Sequence, residues 1–282
     1  MMSYENNIFL KLLNYFLSSR VNPATVSARE YTLWDSFKLP EDISTTGKYI
    51  DWLFNYITLW NIFYFALVCI GLFGFSYLYH HKRNKVPLYT HGYKKQQLAV
   101  TFIIGLAVFL TIDIFIAAKS SYDLKAYFWN FPSENEETIK IEVAAQQWMW
   151  TFRHAGPDNE FNTVDDIVTN HDLYIPVNKK VEIRLTSKDV IHSFYLPNAR
   201  TKIDAMPGRI SRLWFEATKT GVFDIACAEM CGTNHYKMQA KLIIYEQKDY
   251  QEWLTQAHKI ATYGLDPDHK EFNWGWPWRN EK

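Results

Sequence analysis

Cysteine is scarce in this 282-residue chain, and net charge is absent. Three cysteines occur, and 30 basic residues balance 30 acidic ones. Cys69 sits in an apolar run, where a thiol behaves as a small buried hydrophobe. That leaves Cys227 and Cys231 as the pair to explain. The zero balance hides a split: from Ser121 onward there are 19 basic and 23 acidic residues, a net of −4, which leaves +4 upstream. A nucleic-acid binder would concentrate its excess Lys and Arg on the folded domain, so that class is excluded. No internal repeat is visible. No small-residue cleavage pattern follows the apolar patch Ile8–Leu17, which Lys11 interrupts and which is too short to span a bilayer. An interfacial amphipathic helix is the expectation for that patch.

Charge is also missing locally. No charged residue appears from Trp52 to Tyr79, a run long enough at helical rise to cross the hydrocarbon core. Trp52, Tyr56 and Trp60 at its start, with Tyr77 and Tyr79 at its end, are placed like an aromatic belt. A second span is expected from about Gln97 to Ala118, with Asp113 as its one ionisable residue. Lys119 follows closely, so Asp113 belongs near the membrane surface, as a carboxylate reaching headgroups or a neighbouring subunit rather than as a proton-path group. The connecting loop His80–Lys95 holds five basic and no acidic residues, which orients it to the cytoplasm or matrix. Everything after Ser121 then lies on the opposite face. The three loop histidines have no thiolate or carboxylate company and read as solvated.

After this hairpin the texture changes to short alternating runs between Gly, Pro, Asn and Asp clusters. Thr138–Val143, Trp148–Phe152, Asp172–Val177, Val181–Thr186, Ile210–Glu216, Gly221–Ala226 and Gln239–Tyr245 read as strands. So many short strands predict a sandwich or barrel of about a hundred residues. The acidic loop Asp158–Asp166 lacks the glycine and bidentate glutamate of an EF-hand and reads as a surface turn. Lys248–Thr262 is expected to be a closing amphipathic helix, and the aromatic stretch Asn273–Arg279 to dock against something. The expected fold is α+β: an N-terminal segment (1–48), a two-helix transmembrane hairpin (49–120), an all-β domain (121–250), and a C-terminal helix with an aromatic tail (251–282).

The densest chemistry lies in Cys227-Ala-Glu-Met-Cys-Gly-Thr-Asn-His-Tyr-Lys-Met238. Cys227, Cys231, His235 and Met238 offer two thiolates, an imidazole and a thioether in one loop, and such soft ligands suit copper. Upstream, His192 in Asp189-Val-Ile-His-Ser-Phe194 stands at a strand end, where a sheet can hold it against the later loop. Two thiolates exceed what one blue-copper ion uses and suit two ions held close together. A disulfide is the bland alternative on an oxidising face, but it explains neither His235 nor Met238. Structural zinc is another alternative, and it rarely takes methionine.

The pattern His192 … Cys227-x-Glu229-x-Cys231-x-x-x-His235-x-x-Met238 resembles the dinuclear copper (Cu-A) site of cytochrome c oxidase subunit II. The flanks Asp189–Phe194 and Lys202–Arg209 and the order of hairpin then β-domain agree with it, over roughly residues 49–250. The resemblance implies a cupredoxin-like Greek-key barrel in which Cys227 and Cys231 bridge two copper ions. His192 and His235 would each cap one ion, and Met238 would complete one. Glu229 would contribute its backbone carbonyl, and its side chain would reach a magnesium ion at the boundary with subunit I. Trp148, in Gln147-Trp-Met-Trp-Thr-Phe152, matches the tryptophan that admits electrons from cytochrome c. The partners implied are a haem-bearing subunit I, cytochrome c and the lipid membrane. The setting implied is a bacterial inner membrane or a mitochondrial inner membrane, with the copper domain on the periplasmic or intermembrane side.

The chain departs from the family in two places. Met149 stands where the family usually has tyrosine, and the second span opens with Lys94-Lys-Gln-Gln97 where a glutamate is usual. That glutamate is associated with a proton-uptake route, so proton delivery through this subunit is put in question. The acidic excess of the β-domain fits a basic cytochrome steered by charge. No Cys-x-x-Cys-His haem-attachment run occurs, so oxygen chemistry would belong to a partner chain. The rival functions are a haem-copper nitric oxide reductase with the same electron-accepting subunit, and a non-enzymatic copper carrier. A quinol oxidase subunit lacks these copper ligands.

Overall fold

The computed structural model describes residues 39–83, 86, 91–133, 137–156, 160–161, 163 and 165–264. The apolar patch at 8–17 and the aromatic stretch at 273–279 lie outside these residues, as do parts of the basic loop and of the acidic turn.

The uncharged run forms helix α1, Gly47–Leu78, and the second span lies in α2, Lys95–Phe128, which contains π-helical turns at Phe109–Asp113 and Leu124–Phe128. Both are long and apolar enough to cross a membrane. Their apolar side chains point outward: Phe65, Ile70 and Phe73 are each more than 70% exposed, as a helix needs when lipid is its solvent. The helices meet near one end, where Tyr49 stacks on Tyr127 at 3.8 Å and Phe115 sits against Trp52 and Tyr56. Lys119 lies over the Trp52 ring, 5.4 Å from its centre. Asp113 therefore sits within two turns of the aromatic residues Trp52 and Tyr56. Helix α2 runs ten residues beyond the expected stop at Ala118. Lys119 pairs with Asp123 one turn on, and an i,i+4 pair supports continued helix.

Ten strands form two facing sheets: β1 Thr138–Gln146, β2 Met149–His154, β3 Ile167–Asn170, β4 Asp172–Pro176, β5 Lys180–Ser187, β6 His192–Leu196, β7 Thr201–Ala205, β8 Ser211–Glu216, β9 Gly221–Cys227 and β10 Gln239–Tyr245. The first sheet has the order β3-β2-β1-β5-β8 and the second β4-β10-β9-β6-β7. Strand β1 pairs parallel to β5, and β10 parallel to β4; the other pairings are antiparallel. All seven expected strands are present, each within three residues of its expected ends. Strand β6 supplies the strand end expected at His192; β3 and β7 were not expected, and each is only four or five residues long, where alternation is a weak signal.

Alternate residues of both sheets build one core. Ile141, Val143, Trp150, Phe152, Ile183 and Leu185 face Leu173, Ile175, Phe194, Ile225 and Leu242, all essentially fully buried. Phe194 meets Trp150 at 5.2 Å and Phe152 at 6.2 Å, edge to face, the preferred arrangement for aromatic pairs.

Residues 39–46 form a hook that ties the hairpin to the β-domain. Ile43 is buried in the sandwich core. Its amide donates to the Asn198 carbonyl at 3.0 Å, and its carbonyl accepts from the Thr218 amide at 2.7 Å. The hook belongs to the domain's packing, although its sequence has no periodic pattern. At the other end, α3, Gln247–Gly264, closes the sandwich beside β3, β4 and β10. Trp253 stacks on Tyr174 at 4.5 Å and meets His154 edge to face.

Candidate metal centre

Three elements bring the expected ligands together. Strand β6 begins with His192, β9 ends with Cys227, and the loop between β9 and β10 carries Glu229, Cys231, His235 and Met238. The antiparallel pairing of Phe194 with Cys227 sets the two strands in register. A left-handed turn at Gly232, φ 119°, and a 3-10 turn over His235–Lys237 fold the loop back, and the Cys227 amide donates to the Met238 carbonyl at 3.1 Å. The loop is thereby closed at both ends by backbone, with Cys231 and Met238 buried and Met230 exposed.

Among the described residues, His192, Cys227 and Cys231 form a group whose ligand atoms all lie within 4.8 Å of one another. His192 Nδ1 is 3.9 Å from Cys227 Sγ, and the two Sγ atoms are 3.8 Å apart. On the far side Cys231 Sγ is 3.5 Å from His235 Nδ1 and 3.8 Å from Met238 Sδ. The Cys227 thiol also donates to the Glu229 carbonyl at 3.3 Å. All six expected residues thus converge. Both cysteines are free, and a disulfide would need the sulfurs about 2.05 Å apart. His192, Cys231 and Met238 are buried, while Cys227 and His235 are half-buried.

The electrostatics explain why a cation belongs here. Burial pushes the Cys227 thiol up, but hydrogen bonds from His192, from backbone groups and from His235 outweigh this and bring it down to about 6. Burial and the adjacent Cys227 charge push Cys231 up to about 12. Two thiolates this close repel, so without a metal the second keeps its proton. A soft cation held by Cys227 and Cys231 would remove that conflict and favour the deprotonated thiols. The donor set therefore fits copper.

Two residues of the site escaped the sequence reading. Asp189 Oδ1 accepts from His192 Nε2 at 2.9 Å and from the Val190 amide at 2.6 Å, and its Oδ2 accepts from the Gln147 amide at 2.6 Å. These donors hold the Asp189 carboxyl below its usual range against the opposing effect of burial. The carboxylate fixes the tautomer that leaves His192 Nδ1 free to face sulfur, as partners of ligating histidines do. Burial would lower the pKa of His192, but Cys227 and Asp189 raise it. Gln147 is the second: its Nε2 donates to the Cys231 carbonyl at 2.7 Å. The Asp-x-x-His spacing was the available signal for the first; nothing in the sequence marks the second. The adjacent Trp148 lies in the turn between β1 and β2. Its indole is so close to Gly232 that a Cβ there would stand 3.2 Å from the ring.

Comparison with known proteins agrees in extent with the folded domain. The family model for the periplasmic domain of cytochrome c oxidase subunit II matches residues 138–245, from the first residue of β1 to the last of β10. The chain is 31% identical over 245 residues to the alternative cytochrome c oxidase subunit 2 of Bradyrhizobium diazoefficiens, covering 78% of this chain and 84% of that one. It is 32% identical over 219 residues to cytochrome c oxidase subunit 2 of Alkalihalophilus pseudofirmus, covering 74% of this chain and 59% of that relative's length. A crystal structure of the periplasmic domain of subunit II of cytochrome oxidase from Bradyrhizobium japonicum aligns with a TM-score of 0.40 at 31% identity, over 45% of this chain and 96% of that one. With 31% identity over 78% of its length to one such subunit and the family model matching its β-domain, this protein belongs to the cytochrome c oxidase subunit II family.

Proposed function

We propose that this chain is the electron-accepting subunit of a haem-copper oxidase. It takes electrons one at a time from cytochrome c at a dinuclear copper centre and passes them to haem in subunit I, where oxygen is reduced to water. The observation that carries the reading is the pair of sulfurs 3.8 Å apart, with a separate imidazole beside each one. One ion would draw both histidines to itself, whereas this arrangement offers each of two ions its own. The residues proposed to hold them are His192, Cys227, the Glu229 carbonyl, Cys231, His235 and Met238. When bound, the copper pair would supply one-electron redox chemistry with the electron shared between the ions.

The chain's own residues keep the ligands still. Asp189 orients His192, Gln147 holds the Cys231 carbonyl, and the β6–β9 pairing fixes the strand ends. Ligands that stay in place when charge changes oppose transfer little. Trp148, packed against the ligand loop at Gly232, is the proposed point at which electrons arrive. The exposed Glu229 side chain is proposed to reach a magnesium ion at the boundary with subunit I.

Metal analysis of the purified complex should find two coppers in this subunit, with a delocalised mixed-valence EPR signal. Cys231→Ser should abolish that signal. A single copper, or zinc, would overturn the reading. The relatives named cytochrome c oxidase favour oxygen as the acceptor, and turnover with oxygen against nitric oxide checks it.

A further inference from the structure

Arg200 follows the 3-10 turn Pro197–Ala199 at the end of β6 and has a φ of 56°, in the left-handed region. That conformation strains a residue with a Cβ. Asparagine recovers part of the cost by local hydrogen bonding; arginine does so here only through the Pro197 carbonyl. Its other side-chain bonds are long-range. The side chain is nearly buried, with 7% exposed. Nε donates to Asp51 Oδ1 at 2.6 Å and Nη2 to Asp51 Oδ2 at 3.1 Å, a two-pronged pair with the first turns of α1. Nη1 donates to the Pro197 carbonyl at 2.7 Å, and Nη2 also reaches the Pro40 carbonyl in the hook. One guanidinium thus joins the membrane helix, the hook and the end of the strand that begins with His192. Paired carboxylate and guanidinium forks are directional as well as strong.

We propose that Arg200 is a positioning residue: through Asp51 and Pro40 it sets the orientation of the copper domain on the membrane hairpin. It thereby sets how the copper loop faces the acceptor in subunit I, a consequence that rests on the function proposed above. His192 stands at the opposite end of the five-residue strand β6, roughly 14 Å away at about 3.4 Å per residue. A rotation at the junction is carried to the ligands as a rigid displacement.

The test uses Arg200→Gly, Arg200→Lys and Asp51→Asn in the assembled complex. Glycine suits the left-handed position, so this variant relieves strain while removing the strut. Amide exchange over residues 43–51 should speed by about tenfold or more in Arg200→Gly, with Arg200→Lys between it and wild type. Copper reduction by cytochrome c and the EPR spectrum should be unchanged, while the subsequent copper-to-haem step slows several-fold. Exchange that is unchanged or slower in Arg200→Gly, as strain relief alone would give, overturns the proposal. Equal slowing of both electron-transfer steps overturns it too, because Arg200 would then act on the copper site itself. A wild type without the two-copper signal would refute the proposed function, and the exchange order would still decide the strut. A variant that does not assemble is read by exchange in the full chain alone.

Discussion

At Asp189 one carboxylate accepts hydrogen bonds from a ligand imidazole and from the backbone amide beside the proposed electron-admitting tryptophan. Removing its charge should loosen His192 while leaving all copper ligands in place. Asp189→Asn is expected to weaken copper binding by about 10–100-fold, the usual effect of losing a partner behind a ligand. Competition titration against a chelator of known affinity measures it, and unchanged affinity would mean that the β6–β9 register alone orients the ring. The proposed ligands Cys227, Cys231, His235 and Met238 were legible in the sequence because their donor types and spacing are chemically dense, whereas Glu229 came only from the family resemblance. Gln147 was not, because a glutamine side chain that caps a carbonyl 84 residues away has no local pattern.

The amphipathic pattern of helix α3 was readable in the sequence, but its docking site was not. Trp253 covers His154 at the end of β2, and among the described residues neither ring nitrogen of this buried histidine has a hydrogen-bond partner. Burial drives its pKa down to about 3. In the unfolded chain the ring gains its proton near about pH 6.5, so between these values the unfolded state binds more protons. Stability from this group is fully present above about pH 6.5 and falls by up to about 1.4 kcal/mol per pH unit as the pH drops toward 3. Denaturant midpoints of wild type and His154→Phe, compared at pH 7.5 and pH 5, should converge at the lower pH if wild type is the more stable, or diverge if it is the less stable. A difference that does not change with pH would show that the proton reaches the ring in the folded state.

Across the whole molecule, charge is divided: the part after Ser121 carries the net −4 and the part before it +4. The acidic excess flanks the sandwich, since residues 138–245 hold 13 basic and 12 acidic residues, and such an acidic surround would attract a basic donor through a field that salt screens. The KM for a cationic cytochrome c is therefore expected to rise with ionic strength while kcat stays nearly constant, as steady-state oxidation at two salt concentrations would show. A KM indifferent to salt would point to an uncharged or tethered donor. The hook and Arg200 also tie the β-domain to the hairpin.

The uncharged run Trp52–Tyr79, the strand alternation and the Cys227–Met238 ligand spacing determined the hairpin, the β-domain and the copper chemistry, because each depends on residues close together in the chain. The tertiary structure decided how these parts meet. It gave each cysteine sulfur its own histidine, seated Ile43 in a core whose first strand begins 95 residues later in the chain, and joined Arg200 to Asp51 across 149 positions. Such contacts are made by chain reversals and sheet order, and no local pattern of hydrophobicity or charge encodes them.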